Sequence, residues 1–138
     1  MKRIHYICIV FVLFAFFTSC SKEKQTLTDN TWIAESLKVH TDSVWVHSSE
    51  RASPITLSFR KKNEYLLVFG GSKSSGRVKI AKNKIDFIDA MTMGSWSDYP
   101  FDFLCWELLL VYVTHYTIDD NKLTLEGDNG EIIILIKQ

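Results

Sequence analysis

Short segments of alternating apolar and polar residues recur along most of the chain, separated by turn residues. Residues 55–59 (Ile-Thr-Leu-Ser-Phe) show the period-two pattern of a strand with one buried face. Seven further segments have the composition of strands: 32–39, 44–46, 65–69, 77–80, 85–88, 114–118 and 123–125. Residues 132–136 are apolar throughout, which predicts a final strand buried on both faces. The pattern therefore predicts about eight short strands.

Glycine and polar residues mark the connections between these strands. Residues 70–76 (Gly-Gly-Ser-Lys-Ser-Ser-Gly) predict an extended glycine-rich turn, and the Asn129-Gly130 pair predicts a tight hairpin. Residues 91–99 fit neither period and are expected to be irregular. Most connections are short, which favours antiparallel neighbours.

One segment has the spacing of a helix instead. Residues of about 99–113 carry a stripe of apolar side chains at helical intervals, namely Phe103, Trp106, Leu110 and Val113. Pro100 suits a helix start, and Asp98 is a candidate N-cap. Closing the strands on themselves removes their exposed edges. We therefore predict a mainly β fold, a small antiparallel barrel or strongly curled sheet, with this single late helix covering one end.

The N-terminus has the three-part layout of an export signal. Lys2 and Arg3 precede an uncharged apolar run over residues 4–17, and Thr18-Ser19 precede Cys20. A bilayer span needs about 20 apolar residues, so the alternative of a retained anchor helix is less favoured. We predict a signal peptide over 1–19, a polar tether over 20–28 and one domain over 29–138.

Phe17-Thr18-Ser19-Cys20 resembles the lipobox of bacterial lipoproteins in its relaxed Bacteroidota form, with Phe17 where Leu is usual. The resemblance implies a diacylglycerol thioether on Cys20, cleavage before it, and acylation of the new amino group, for example by palmitate. At about 0.8 kcal/mol per buried CH₂, several acyl chains would hold the chain on a membrane. Cys20 is not followed by Asp, which favours the outer membrane facing the periplasm; Glu23 leaves the cell surface as an alternative.

Charge and cysteine content narrow the remaining functions. Without Lys2 and Arg3 the chain carries 14 basic and 16 acidic residues, so it lacks the basic surface that nucleic-acid binding requires. Cys8 would leave with the signal and Cys20 would carry lipid, so Cys105 has no partner for an intrachain disulfide. We expect the fold to be stabilised by packing alone.

The order of these segments resembles the META domain family, also called HslJ-like. The match runs from Thr31-Trp32-Ile33 through the glycine-rich turn and Lys84-Ile85-Asp86-Phe87 to Asn121-Lys122-Leu123-Thr124-Leu125 and Asn129-Gly130. It implies a lipocalin-like antiparallel barrel and a role in the cell envelope or stress tolerance, without an established reaction. Ser72-Lys73 and Gly94-Ser95 stand where relatives often have cysteines.

No residue pattern predicts catalysis, a metal ion or a cofactor. His40, His47 and His115 lack the close spacing of metal ligands, and Cys105 sits in an apolar helical segment, where a thiol behaves as a small hydrophobe. We therefore predict that the protein is not an enzyme.

The candidate binding surface is the stretch predicted to be irregular, with Trp96, Met93 and Tyr99 as its contact residues. The leading hypothesis is that the barrel binds an envelope protein partner there. One alternative is a lipocalin-like carrier of a small apolar ligand, which would require a cavity that Phe59, Phe69 and Phe87 leave open. The other alternative is an inhibitor or accessory of an envelope enzyme.

Overall fold

The computed structural model describes residues 22–48, 53–60, 63–95 and 98–138, and shows nine strands and a late helix. The strands are β1 Thr31–Lys38, β2 Val46–His47, β3 Thr56–Arg60, β4 Glu64–Phe69, β5 Ser72–Ala81, β6 Lys84–Met93, β7 Val113–Asp119, β8 Lys122–Gly127 and β9 Ile132–Lys137. Residues 22–28 form a short helix, α1, and Pro100–Glu107 form α2. The mainly β architecture predicted from the sequence is confirmed.

Eight of these strands form a closed antiparallel barrel. β1 and β3 to β9 pair in chain order, and β9 returns to pair with β1 over the register from Trp32↔Lys137 to Lys38↔Ile132. β2 is an additional strand, joined to β1 through two residue pairs. The β6–β7 junction is the narrowest in the wall, with the single pair Lys84↔His115.

The turn in the glycine-rich stretch is shorter than the seven residues, 70–76, that its composition predicts. Only Gly70 and Gly71 turn, and β5 begins at Ser72, so the prediction of a turn over 70–76 is wrong. Ser72 and Ser74 are buried inward residues of β5. Because these inward residues are polar rather than apolar, the sequence of this strand resembles that of a loop. Gly76 lies at a bulge in the β5–β6 ladder, against the carbonyl oxygens of Ile88 and Asp89.

The helix follows the prediction with three differences. α2 occupies Pro100–Glu107, the chain then widens into a π-helical turn over Leu108–Tyr112, and β7 begins at Val113. Tyr99 rather than Asp98 is the N-cap residue, and it makes no side-chain capping bond. The start is set instead by Pro100, whose missing N–H costs nothing in the first turn.

The segment that precedes the barrel is helical and partly built into it. Residues 22–28, which fall within the polar tether predicted over 20–28, form α1, and the side chain of Leu27 is fully buried. The backbone carbonyl of Leu27 accepts a hydrogen bond of 3.0 Å from the indole of Trp32. Tertiary packing therefore starts at Leu27, ahead of the predicted domain boundary. The lipid-attachment residue predicted from the sequence, Cys20, lies outside the described residues.

Large side chains pack inside the barrel. Among the fully buried residues are Trp32, Tyr65, Phe69 and Tyr116, and the rings of Tyr65 and Phe87 meet edge to face at 5.0 Å. β9 contributes alternate residues to this core: Ile133 and Leu135 are buried, while their neighbours are only half-buried, so burial on both faces is not observed. In the described part of the chain, no helix combines the length and apolarity needed to cross a bilayer.

A buried carboxylate holds the turn between β8 and β9. Glu131 is only 4% exposed, and it accepts hydrogen bonds from the backbone N–H of Asn129 at 2.8 Å and from the amide of Asn129 at 3.3 Å. Burial raises the pKa of Glu131, but hydrogen bonds from the backbone of Glu131 and Asn129 and from the Asn129 side chain outweigh it, so this pKa lies below its usual value. The ionised form is therefore the one that stabilises the hairpin.

We predict that Glu131→Gln lowers the free energy of unfolding by about 1–3 kcal/mol at neutral pH, because an amide cannot accept at both positions. The folded-state pKa lies below the unfolded value of about 4.3. The stabilisation is thus fully present above that value and is lost as the pH falls through the folded pKa. Urea unfolding at neutral and acidic pH measures both effects, with Glu126→Gln on β8 as the control. A constant difference between wild type and Glu131→Gln at all pH values would contradict the assignment.

The thiol of Cys105 is expected to be unreactive in the folded protein. Cys105 is fully buried in α2, and burial, with a further contribution from the carboxylate of Asp102, raises its pKa to about 12. Because the thiolate is the nucleophile, little of the reactive form exists near neutral pH. We predict that N-ethylmaleimide leaves Cys105 unmodified in buffer and alkylates it in guanidinium, as read by peptide mass mapping. Equal alkylation in both conditions would contradict the burial.

Candidate functional site

Two of the three residues predicted to form a binding surface are exposed at one end of the barrel. Met93 ends β6 and is 57% exposed, while Tyr99 precedes α2 and is 40% exposed. The third, Trp96, lies outside the described residues. The expectation of an irregular stretch over 91–99 is wrong for residues 91–93, since β6 continues to Met93 and pairs with β5 up to Lys73, whereas residues 94, 95, 98 and 99 lie outside the helices and strands. Met93 is therefore held by a strand rather than by a loop.

The strand that carries Met93 is fixed on its opposite face. The hydroxyl of Thr92 donates a hydrogen bond of 3.2 Å to Ser74 of β5 and accepts one of 3.2 Å from the indole of Trp106. Just beyond the strand, the buried Ser72 hydroxyl donates to the carbonyl oxygen of Ser95. These bonds join β5, β6 and α2, so they set the direction in which the outward side chains of β6 point.

Met93 borders a surface depression of about 470 Å³. Val68 and Lys73 line one side, and the β4–β5 turn and the end of β6 form the rest. Gly94 has a φ of +113°, and a Cβ there would come within 2.6 Å of the carbonyl oxygen of Gly71. The two chain turns thus approach each other closely because they lack side chains, and this close approach shapes the floor of the depression.

Exposed apolar side chains are concentrated in one part of the sequence, and one of them, Met93, borders this depression. Eight large hydrophobic residues are exposed in the described part of the chain, and six of them lie between residues 91 and 112: Met91, Met93, Tyr99, Phe103, Val111 and Tyr112. Phe103 lies beside Trp106, with ring centroids 6.0 Å apart, and Trp106 is bonded to Thr92. Clustered exposed apolar groups mark interaction surfaces more often than scattered ones do. We call these six residues the β6–α2 surface.

A second polar cluster was not anticipated from the sequence. The hydroxyl of Thr114 donates to Asp128 at 2.9 Å and lies 2.8 Å from Nδ1 of His115, which itself is 3.9 Å from the same carboxylate. The three residues border a groove of about 400 Å³ that also contains Lys79 and Lys84. Nothing in the spacing of residues 114, 115 and 128 predicts this contact. It arises because β7 and the β8–β9 turn are brought together by strand pairing.

The remaining candidate residues do not converge. His40 and His47 are exposed, Cys105 is buried in α2, and His115 lies in the groove beside β7. Across the residues that the structure describes, no three histidine, cysteine or carboxylate side chains gather as metal ligands would. In the part of the chain that the structure describes, the β6–α2 surface and the groove at His115 are the features that contain residues considered from the sequence.

Comparison with known proteins places the fold but no function. The sequence matches no protein family profile and no curated protein. An NMR structure of a protein from Burkholderia xenovorans is similar with a TM-score of 0.66 at 18% identity, covering 83% of this chain and 85% of that one. A second NMR structure has a TM-score of 0.58 at 18% identity, covering 81% and 92%. At this identity the likeness shows a shared barrel fold alone.

Proposed function

We propose that the chain is a non-enzymatic envelope lipoprotein, anchored to the outer membrane through Cys20, whose META/HslJ-like barrel binds a protein partner at the β6–α2 surface. The observation that carries this proposal is the concentration of exposed apolar side chains between residues 91 and 112. Aromatic residues and methionine are enriched where proteins bind each other, because they supply large contact areas. We also propose that this binding contributes to the tolerance of envelope stress.

The filled interior favours a surface partner over an apolar ligand carried inside. Trp32, Tyr65, Phe69 and Tyr116 are fully buried and occupy the space that a lipocalin-like carrier would leave for its ligand. Phe87 is buried beside Tyr65, and Phe59 is half-buried. The exposed methionine and aromatic groups outside the barrel are the more accessible apolar surface.

The anchor and the barrel lie close together in this proposal. α1 begins at residue 22, two positions after Cys20, and its Leu27 is packed into the barrel. At about 1.5 Å per helical residue, α1 spans only about 10 Å. The barrel would therefore work near the membrane surface, where its partner would be another envelope protein.

The anchor is tested by acyl labelling. We expect cells that express the chain to incorporate an alkyne-tagged palmitate into it, with the label lost in Cys20→Ala and retained in Cys105→Ala. The physical reason is that only Cys20 stands at the cleavage position, whereas Cys105 is buried. The readout is fluorescence of the clicked product on a gel, together with the membrane fraction of each variant. Labelling of Cys20→Ala equal to wild type would refute the anchor.

The binding surface is tested by site-specific photocrosslinking. A benzoyl-phenylalanine placed at Met93 or Tyr99 is expected to give the same discrete adduct in intact cells, because both positions belong to the β6–α2 surface. The control position is Thr117, which is exposed on β7 toward the opposite end of the wall, since Lys84 at the start of β6 pairs with His115. Mass spectrometry of the adduct identifies the partner. Identical products from Thr117, or none from Met93 and Tyr99, would contradict the proposal.

A further inference from the structure

Met91 and Met93 are both exposed to solvent on β6, an arrangement that packing of the apolar core does not require. They are the methionines that follow Met1 in the sequence, and they are 64% and 57% exposed. Methionine usually fills irregular gaps in protein cores, where its flexible side chain is useful. Here both thioethers instead reach solvent from one strand.

The two side chains project from the same face of β6. They are two residues apart, so their Cα atoms lie about 6.6 Å from each other and their side chains point the same way. The register agrees, since Met91 pairs with Ser75 and Met93 with Lys73, both of which are exposed on β5. Thr92, between them, points the other way and is bonded to Ser74 and Trp106. The strand therefore presents the two sulfur atoms side by side on a fixed backbone.

We infer that Met91 and Met93 form a binding site for a soft monovalent metal ion, Cu(I) or Ag(I). Thioether sulfur is a soft ligand, and soft ligands select Cu(I) over the hard or borderline divalent ions that prefer oxygen and imidazole. Each methionine has three rotatable side-chain bonds, so the two sulfur atoms can close on one ion from their common face. The ion binds without any change of oxidation state or loss of a proton.

Charges around the pair moderate its affinity. Lys73 lies directly across from Met93, and its ammonium group repels a cation. Farther along the same face, Arg77 and Asp89 form an ion pair with each other. Lys73→Ala is therefore expected to strengthen binding, which a non-specific association with exposed sulfur would not predict.

The pH dependence of metal binding distinguishes a methionine site from a site made of histidines or cysteines. Thioethers carry no titratable proton near neutral pH, whereas imidazole and thiol ligands must lose a proton to bind a metal. The charged groups placed nearby by strand register are Lys73, across from Met93, and the Arg77–Asp89 ion pair, farther along β5 and β6. Because thioether ligands release no proton when they bind a metal, we expect binding to be nearly unchanged from mildly acidic to neutral pH.

The test uses the full chain purified in detergent, with accessible thiols blocked by N-ethylmaleimide, and Ag(I) as the probe because it is stable in air. Native mass spectrometry is expected to show one silver ion per chain, and the methyl signals of Met91 and Met93 should shift in carbon–proton NMR spectra. Met91→Leu/Met93→Leu keeps the size and apolarity but removes the sulfur, and it should weaken binding by at least about tenfold. Zn(II) should leave the methyl signals in place.

The following results decide the assignment. Cys105→Ala must retain the silver ion, which excludes the buried thiol as its ligand. Binding at about pH 5 must match binding at neutral pH, since histidine would be protonated there. Unchanged binding in the double leucine variant, with circular dichroism showing that it is folded, would overturn the inference, as would a chain that takes up no silver at micromolar concentration. Loss of photocrosslinking at Met93 with intact silver binding would contradict only the proposed protein partner.

Discussion

Pairing between the first and last barrel strands is the constraint on which the rest of the molecule depends. β1 and β9 join residues about a hundred positions apart, from Trp32↔Lys137 to Lys38↔Ile132. Without this pairing the sheet would have two open edges, and Trp32, Leu37, Ile133 and Leu135 would lose their common interior. The other ladders join strands that follow each other along the chain, apart from β1 and β3, which have only β2 between them, so closure is the step with the largest loop entropy. The ordering of the whole core follows from it, including the direction in which β6 presents its outer face.

Sequence reasoning succeeded where one physical signal dominated. The alternation over 55–59 became β3 because a half-buried strand imposes period two, and Asn129-Gly130 marked the β8–β9 hairpin because Gly130 adopts a positive φ of +86°. Pro100 marked the start of α2, but the apolar stripe did not mark its buried face, because Phe101, Asp102 and Cys105 are buried, Phe103 is exposed and Val113 begins β7. The barrel could thus be predicted from local patterns, since nearly all its ladders are local.

The failures share a different cause, which is that the partners of polar side chains are set by tertiary contacts. Ser72 and Ser74 read as turn residues, although they are inward residues of β5 whose hydroxyl groups find partners in Ser95 and Thr92. The contact of Thr114 with Asp128 depends on the pairing of β7 with β8 and on a bulge between Val113 and His115. Met93 was recognised as a surface residue, but its pairing with Met91 on one face was hidden because the strand was read as irregular. Polar patterns therefore require the fold before they can be interpreted.

The narrow junction between β6 and β7 has a consequence for how such a barrel can diversify. β6 and β7 share only the pair Lys84↔His115. The chain between Met93, where β6 ends, and Val113, where β7 begins, therefore lies outside the sheet, and its length is not set by the register of any ladder. Insertions or deletions in that excursion would shift no strand and uncover no alternate face of the sheet. The barrel thus separates strands, whose length the register fixes, from a connection in which only the core contacts of α2 and of the turn after it constrain the length. The excursion carries four of the six residues of the β6–α2 surface, so new partners could evolve there while the wall stays the same.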